Sequence, residues 1–205
     1  MRSPFLFSGI YAILEPHRRD PLAYARALLA GGVRVVQVRA KSGVDRDLLR
    51  VLVSIVHGYN GIVIVNDEVD AAREADGLHL GQEDAARYDL AALRARLGGR
   101  IIGLSCGTPA EARRVDRAIV DYLGVGPIYT TNSKADAGGA IGVNGVRAVV
   151  TATNVPCVAI GGIDAANLAR VKESGVQMAA IISALADAHD PQALACELTR
   201  IWSVS

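Results

Sequence analysis

The sequence predicts an α/β fold, a single (β/α)8 (TIM) barrel over residues 1–205. Three observations carry that reading. Short apolar runs rich in β-branched residues alternate with helical patterns from one end of the chain to the other. The runs are apolar at consecutive positions, as in strands buried on both faces of a parallel sheet. Shared among eight strand–helix units, 205 residues leave about 26 each, close to the lower limit for such a barrel. The rival is an open doubly wound sheet, which usually has fewer strands at this length.

The predicted strands are 9–14, 33–39, 61–65, 77–80, 100–104, 122–125, 155–160 and 178–182. Arg2 and the apolar stretch after Pro4 faintly resemble a signal peptide, but no small-x-small cleavage site follows, and the stretch reads better as leading into a first buried strand. Asp20 is an N-cap with Pro21 at N1, and Gly31-Gly32 stops the first helix. Leu48, Leu49, Leu52, Ile55 and Val56 share one face of the second. Thr108-Pro109-Ala110-Glu111 reads as a capping box with Pro at N1. The helix around 143–153 has the weakest signals, and Asp164 is expected to cap a helix ending near Gly175. Asp190-Pro191 opens the last helix, with Leu194, Leu198 and Ile201 on its apolar side. No linker, low-complexity tract or internal repeat breaks the series.

Composition excludes several classes of function. Lys+Arg number 22 against 21 Asp+Glu, a net charge of +1, so there is no electrostatic case for nucleic acid or an anionic membrane as partner. With 51% hydrophobic and 21% charged residues the chain is not disordered. No apolar run reaches the roughly 18 residues of a membrane span. Cys106, Cys157 and Cys196 are too few and too far apart for a disulfide framework or a zinc motif, and are expected to be reduced thiols of a cytoplasmic protein. The subunit number stays open, a homo-oligomer included.

The unusual polar residues fall at strand C-terminal ends, where barrel active sites assemble. They are Gln37-Val-Arg39-Ala-Lys41, Asn66-Asp67, His79 with the Gly81-Gln-Glu-Asp84 turn, Ser105, the 130–134 segment, Gly161-Gly162, and Ile182-Ser183. Each has a bland reading. Arg39 and Lys41 suit a solvated strand end, Asn66-Asp67 an N-cap, His79 between two leucines a packed core residue, and Asp84 a turn. Gly161-Gly162 suits a tight backbone turn, and the Gly138 to Gly142 stretch suits a flexible loop as well as a mobile flap. Together they describe one mouth. Glycines after the seventh strand let backbone N–H groups approach a phosphate. Asp67 and Asp84 suit a hard cation such as Mg²⁺, with Arg39, Lys41 and Lys134 to neutralise the rest of a diphosphate.

These residues, with Asp76-Gly-Leu-His79-Leu-Gly, Ile102-Gly-Leu-Ser105, Asp121-Tyr-Leu-Gly-Val-Gly-Pro-Ile-Tyr129, Thr131 to Lys134 and Ala159-Ile-Gly-Gly-Ile163, make the chain resemble the thiamine phosphate synthases, a group that also contains thiazole tautomerases. The resemblance implies a reaction: hydroxymethylpyrimidine diphosphate joins hydroxyethylthiazole phosphate, giving thiamine phosphate and diphosphate. By the same resemblance, Asp67 and Asp84 bind Mg²⁺, and Arg39, Lys41, Asn66 and Lys134 hold the diphosphate. Gln37 and His79 contact the pyrimidine, and Ser105 hydrogen-bonds at the reacting end. Thr131, Ser133, Gly162, Ile182 and Ser183 receive the thiazole phosphate. Arg39, Lys41, Ser105 and Lys134 are the expected catalytic residues.

Three departures from the family pattern stand out. Glu68 follows the Asn-Asp pair where Arg is common, Ser133 replaces Thr, and Thr130 replaces Pro. Glu68 is expected either to face the mouth, opposing diphosphate, or to sit in the first turn of a helix facing solvent. Two alternatives remain. A tautomerase, as the resemblance implies, carries a histidine just after the fifth strand, where Gly107 stands here. A non-catalytic sensor of thiamine phosphates would keep the same residues, and Glu68 is the one feature pointing to it.

Overall fold

The computed structural model describes residues 8–131 and 138–204. Eight apolar runs form eight strands: β1 Gly9–Leu14, β2 Val35–Val38, β3 Ile62–Asn66, β4 Gly77–Leu80, β5 Ile101–Cys106, β6 Tyr122–Val125, β7 Cys157–Ile160 and β8 Met178–Ile181. Each pairs in parallel with the next, and β8 pairs with β1, so the sheet closes into the expected barrel. Helices α1 Pro21–Ala30, α2 Arg46–His57, α3 Gln82–Ala85, α4 Leu90–Leu97, α5 Pro109–Ala112, α6 Gly142–Thr151, α7 Leu168–Lys172, α8 Ser183–Ala186 and α9 Pro191–Val204 surround it, with a 3-10 turn at Ala71–Glu74.

The strands obey a two-residue alternation even though their sequences are apolar throughout. Ile10, Ala12 and Leu14, with Val36 and Val38 of β2, pack outward against the helices. Tyr11 and Ile13, with Val35, Ile64, Tyr122, Val158, Met178 and Ala180, fill the interior. Gln37, His79, Ser105, Gly124 and Ile182 share the inward parity and stand one or two steps nearer the C-terminal rim. A polar residue between two apolar neighbours is therefore an inward residue flanked by outward ones. His79 between Leu78 and Leu80 is the clearest case, since both leucines belong to a cluster beneath α4.

Capping follows the sequence closely. Asp20 Oδ1 accepts from the Leu22 and Ala23 amides, and Asp45 Oδ1 from those of Asp47 and Leu48. Asp190 Oδ1 takes the Ala193 amide. Two signals act differently from expectation. Thr108 Oγ1 accepts from the Glu111 amide, but the Glu111 carboxylate returns to the amide of Gly107, one residue before the cap. Asp164 accepts from the Ala166 and Asn167 amides, so it closes a turn ahead of α7, which is only Leu168–Lys172 and stops short of Gly175. The short connection spends its residues on that turn rather than on helix.

Two glycines set the shape of the interior. A Cβ at Gly103 of β5 would lie 2.1 Å from Tyr122 Cζ, and one at Gly124 of β6 would lie 2.9 Å from His79 Cε1. The Tyr122 and His79 rings stack across this space, 5.5 Å between centroids and 28° between planes. Tyr122 occupies the volume that adjacent β5 leaves empty at Gly103, and His79 the volume that β6, two strands away, leaves empty at Gly124. Gly103→Ala is expected to lower stability by about 1–3 kcal/mol through overpacking, read from urea unfolding midpoints at unchanged slope.

Candidate active site

At the C-terminal end of the barrel lies a cavity of about 750 Å³. Seven of the site residues that the resemblance implied line it: Asp67, Asp84, Ser105, Thr131, Gly162, Ile182 and Ser183. Ser133 and Lys134 lie outside the described residues. The site and its surroundings fall into three groups of residues.

The carboxylate corner is built by the loops after β3 and β4. Asn66-Asp67 does not cap a helix. Asp67 takes a left-handed backbone, φ 61°, which turns its side chain toward the β4 loop. There its Oδ1 accepts the Gly81 amide at 3.0 Å, and its Oδ2 accepts from Asn66 Nδ2. Asp84, in the single turn of α3, is held from below by Arg87 at 3.0 Å. A Cβ placed on Gly81 would be 3.6 Å from Asp84 Oδ2 and 3.9 Å from Asp67 Oδ1, so both carboxylates face the same side of Gly81. Two carboxylates on one side of a loop, open to a cavity, form a donor set that suits Mg²⁺, which takes one or two carboxylates and fills its remaining positions with water and phosphate oxygens.

The basic group differs from expectation. Arg39 is not a free cation at the rim. Its guanidinium donates to Glu15 Oε1 at 2.6 Å, with side-chain exposures of 16% and 7%. Arg18 in turn reaches both Glu15, at 3.7 Å, and Asp187, at 2.6 Å. Glu15 is the polar residue at the end of β1. The rule that marks strand ends as functional applies to it as it does to Arg39. Lys41 opens not into the main cavity but into a neighbouring cleft of about 440 Å³ between the β1 and β2 loops, lined also by His17 and Ser42.

Glu68 fits neither expectation. Its Oε1 accepts the Val44 amide at 2.7 Å, tying the β3 loop to the β2 loop that carries Lys41. The carboxylate is thus used on the backbone of the adjacent loop and neither confronts the cavity nor sits free in solvent.

The third group lies beneath Ser105. Gln37 Nε2 donates to the Tyr11 hydroxyl at 2.8 Å, and Tyr11 and Tyr122 hydroxyls are 2.9 Å apart. Tyr122 then meets His79 Nδ1 at 3.0 Å, and His79 Nε2 meets Ser105 Oγ at 3.1 Å. Burial pushes both phenol pKa values up, so both stay protonated. Neither Tyr11 nor Tyr122 was among the expected site residues, although Tyr122 lies in the Asp121–Tyr129 motif. The signal was inward parity, legible only with strand register.

The cavity wall also carries Cys106. Burial pushes its thiol up to about 11, so it is no nucleophile near neutrality. Glu111, beside it, is desolvated, but hydrogen bonds from the Gly107 amide, Gln82 and Thr108 outweigh that and lower its carboxyl pKa. At the opposite wall, Gly161 and Gly162 have φ of 104° and 65°, and a Cβ on Gly162 would lie 2.7 Å from the Thr130 carbonyl oxygen. Only glycine allows that close turn beside Ile182 and Ser183.

The match to known proteins agrees with this geometry. The family model for thiamine monophosphate synthase matches residues 10–185. The chain belongs to the thiamine monophosphate synthase family. A thiamine-phosphate synthase of Archaeoglobus fulgidus is 40% identical over 182 residues, covering 86% of this chain and 84% of that one. One of Herpetosiphon aurantiacus is 42% identical over 190 residues, covering 89% and 90%. The solved structure of a thiamine phosphate pyrophosphorylase from Pyrococcus furiosus superposes with a TM-score of 0.85 at 32% identity, covering 95% of each chain. The barrel and the family inferred from the sequence both stand.

Two outcomes follow. Glu68→Arg is expected to speed proteolytic cleavage of the 41–44 loop about threefold or more, because losing the Val44 acceptor frees that loop, a cost of the order of one hydrogen bond; limited proteolysis of the two proteins reads the effect. In the native protein a thiol reagent near pH 8 should label Cys196 alone at a fast rate, since Cys106 and Cys157 are buried with thiols pushed up to about 11 and about 12.

Proposed function

We propose that the chain joins hydroxymethylpyrimidine diphosphate to hydroxyethylthiazole phosphate, releasing thiamine phosphate and diphosphate, as a cytoplasmic enzyme. Family membership supports thiamine phosphate synthesis. The observation that carries the finer reading is the cavity itself. It has paired carboxylates at one wall, a glycine–serine turn at the other, and Ser105 between them. That is a place for a diphosphate and a place for a second phosphate with a reacting centre in the middle.

In the proposed reaction the bond between the pyrimidine methylene and the diphosphate oxygen breaks, and its electron pair leaves with diphosphate. The lone pair of the thiazole nitrogen then forms the new carbon–nitrogen bond. The substrate supplies the nucleophile, which fits a cavity whose one lining thiol stays protonated. Negative charge grows on the departing diphosphate, so fixed positive charge lowers the barrier. By the family resemblance Arg39, Lys41, Asn66 and Lys134 are assigned to that anion, although Lys41 opens into the neighbouring cleft and Arg39 is paired with Glu15. Glu15 holds Arg39 in one orientation while removing part of its charge. Thr131, Ser133, Gly162, Ile182 and Ser183 are assigned to the thiazole phosphate, and Gln37 and His79 to the pyrimidine side.

The carboxylate corner supports a metal here. Asp67, Glu83, Asp84, Glu111, Asp164 and Asp187 line the cavity, and no Lys or Arg does so among the described residues. A diphosphate meets repulsion from such a wall unless a cation intervenes. Asp67 and Asp84 would hold Mg²⁺, which when bound supplies charge to the leaving diphosphate. At position 107, where the tautomerase branch is expected to carry histidine, the Gly107 amide is bonded to Glu111 and no side chain is present.

Incubating the protein with both substrates and Mg²⁺ tests the proposal through release of diphosphate and formation of thiamine phosphate. Asp84→Asn is expected to cut turnover by at least about a hundredfold with the fold intact by circular dichroism, as loss of a metal ligand does. Retention of wild-type turnover at limiting Mg²⁺ would remove Asp84 from the metal.

A further inference from the structure

The five-member chain under Ser105 has a direction. Hydrogen bonds pass a proton donor along in one sense, and the ends of the chain fix which sense applies. The Gln37 carboxamide nitrogen can only donate, and it donates to Tyr11. That uses a lone pair of the Tyr11 oxygen and leaves its own proton, in a side chain only 2% exposed, to be placed. The Tyr122 oxygen 2.9 Å away is positioned to take it. Tyr122 then has a proton for the lone pair of His79 Nδ1 at 3.0 Å. A neutral imidazole that accepts at Nδ1 carries its hydrogen on Nε2, which faces Ser105 Oγ at 3.1 Å. Ser105 accepts there, and its own hydroxyl hydrogen remains for the cavity that it lines.

We infer that Tyr122 and His79 are positioning residues that act through Ser105, presenting its hydroxyl as a hydrogen-bond donor so that the ligand atom it meets must carry a free lone pair. The consequence is selectivity between two kinds of heterocycle. A ring nitrogen without hydrogen, as in an aminopyrimidine, satisfies the Ser105 donor. A ring N–H, as in the corresponding oxo-pyrimidine, meets a hydrogen with a hydrogen and leaves both desolvated. Reversed, the chain would need the Gln37 oxygen toward Tyr11 and would make Ser105 an acceptor with the opposite preference. The choice of pyrimidine rests on the function proposed above; the direction of the chain does not.

The direct test needs no ligand and no activity. The full chain is labelled with ¹⁵N-histidine, and the His79 signals are identified by their loss in His79→Gln. The expected result is a pyridine-type Nδ1 and a proton-bearing Nε2. A proton on Nδ1 overturns the inference whatever the enzyme does. Tyr122→Phe is expected to mix the two tautomers and to lower kcat/KM for the pyrimidine diphosphate about tenfold, with KM for the thiazole phosphate unmoved. Tyr11→Phe leaves Tyr122 its donation and should keep the wild-type tautomer. If Tyr122→Phe does not fold, the wild-type spectrum still decides. In competition binding, the aminopyrimidine diphosphate should outcompete its oxo analogue by about tenfold or more, and Ser105→Ala should level the two. An oxo analogue preferred by the wild type would also overturn the inference, whereas absence of turnover with a correct tautomer would count against the proposed function alone.

Discussion

The contact between the Tyr11 and Tyr122 hydroxyls, made across the barrel interior at 2.9 Å, constrains much of what surrounds it. Two phenols this deep must have partners, because an unpaired buried hydroxyl is costly. Their partners are Gln37 on one side and His79 on the other, and these lead to the cavity floor at Ser105. The Tyr122 ring requires Gly103 on the adjacent strand, and the His79 ring requires Gly124 two strands away. A packing problem in the middle of the barrel and a polar problem at its mouth are thus solved by the same few residues, on β1, β2, β4, β5 and β6.

The rim is organised by charge in a comparable way. An acidic cavity wall would work against a phosphorylated ligand, yet each carboxylate whose bonds are known is engaged by something that fixes it. Asp67 holds the Gly81 amide, Asp84 pairs with Arg87, and Glu111 gathers the Gly107 amide and Gln82. Glu15 does the same for Arg39 from the neighbouring strand. Rigid anions placed before the ligand arrives cost no reorganisation when it does, which is the property that electrostatic preorganisation requires.

The fold was legible because the strands are short, apolar and separated by explicit helix caps, so their number and order survive uncertainty at their ends. The site was partly legible. Asp84, Ser105, Gly162 and Ser183 announce themselves by standing at strand or turn ends in polar or glycine-rich settings. Tyr11 and Tyr122 do not, because an aromatic residue in an apolar run looks like core until the register reveals which way it points. Glu15 was hidden differently: only its pairing with Arg39 distinguishes it from an ordinary end-of-strand acid. Glu68 shows the remaining gap. Its partner is an amide 24 positions earlier in the chain, and no local pattern encodes a bond between two loops.

That same bond gives position 68 a constraint of its own. An acid there and the backbone course at Gly43-Val44, where Gly43 has φ 97°, form one unit. Replacing Glu68 with arginine, the residue the family resemblance leads one to expect there, removes the acceptor of the Val44 amide and loosens the loop that bears Lys41. Position 68 and the 43–44 backbone are thus coupled, and a change at one is felt at the other.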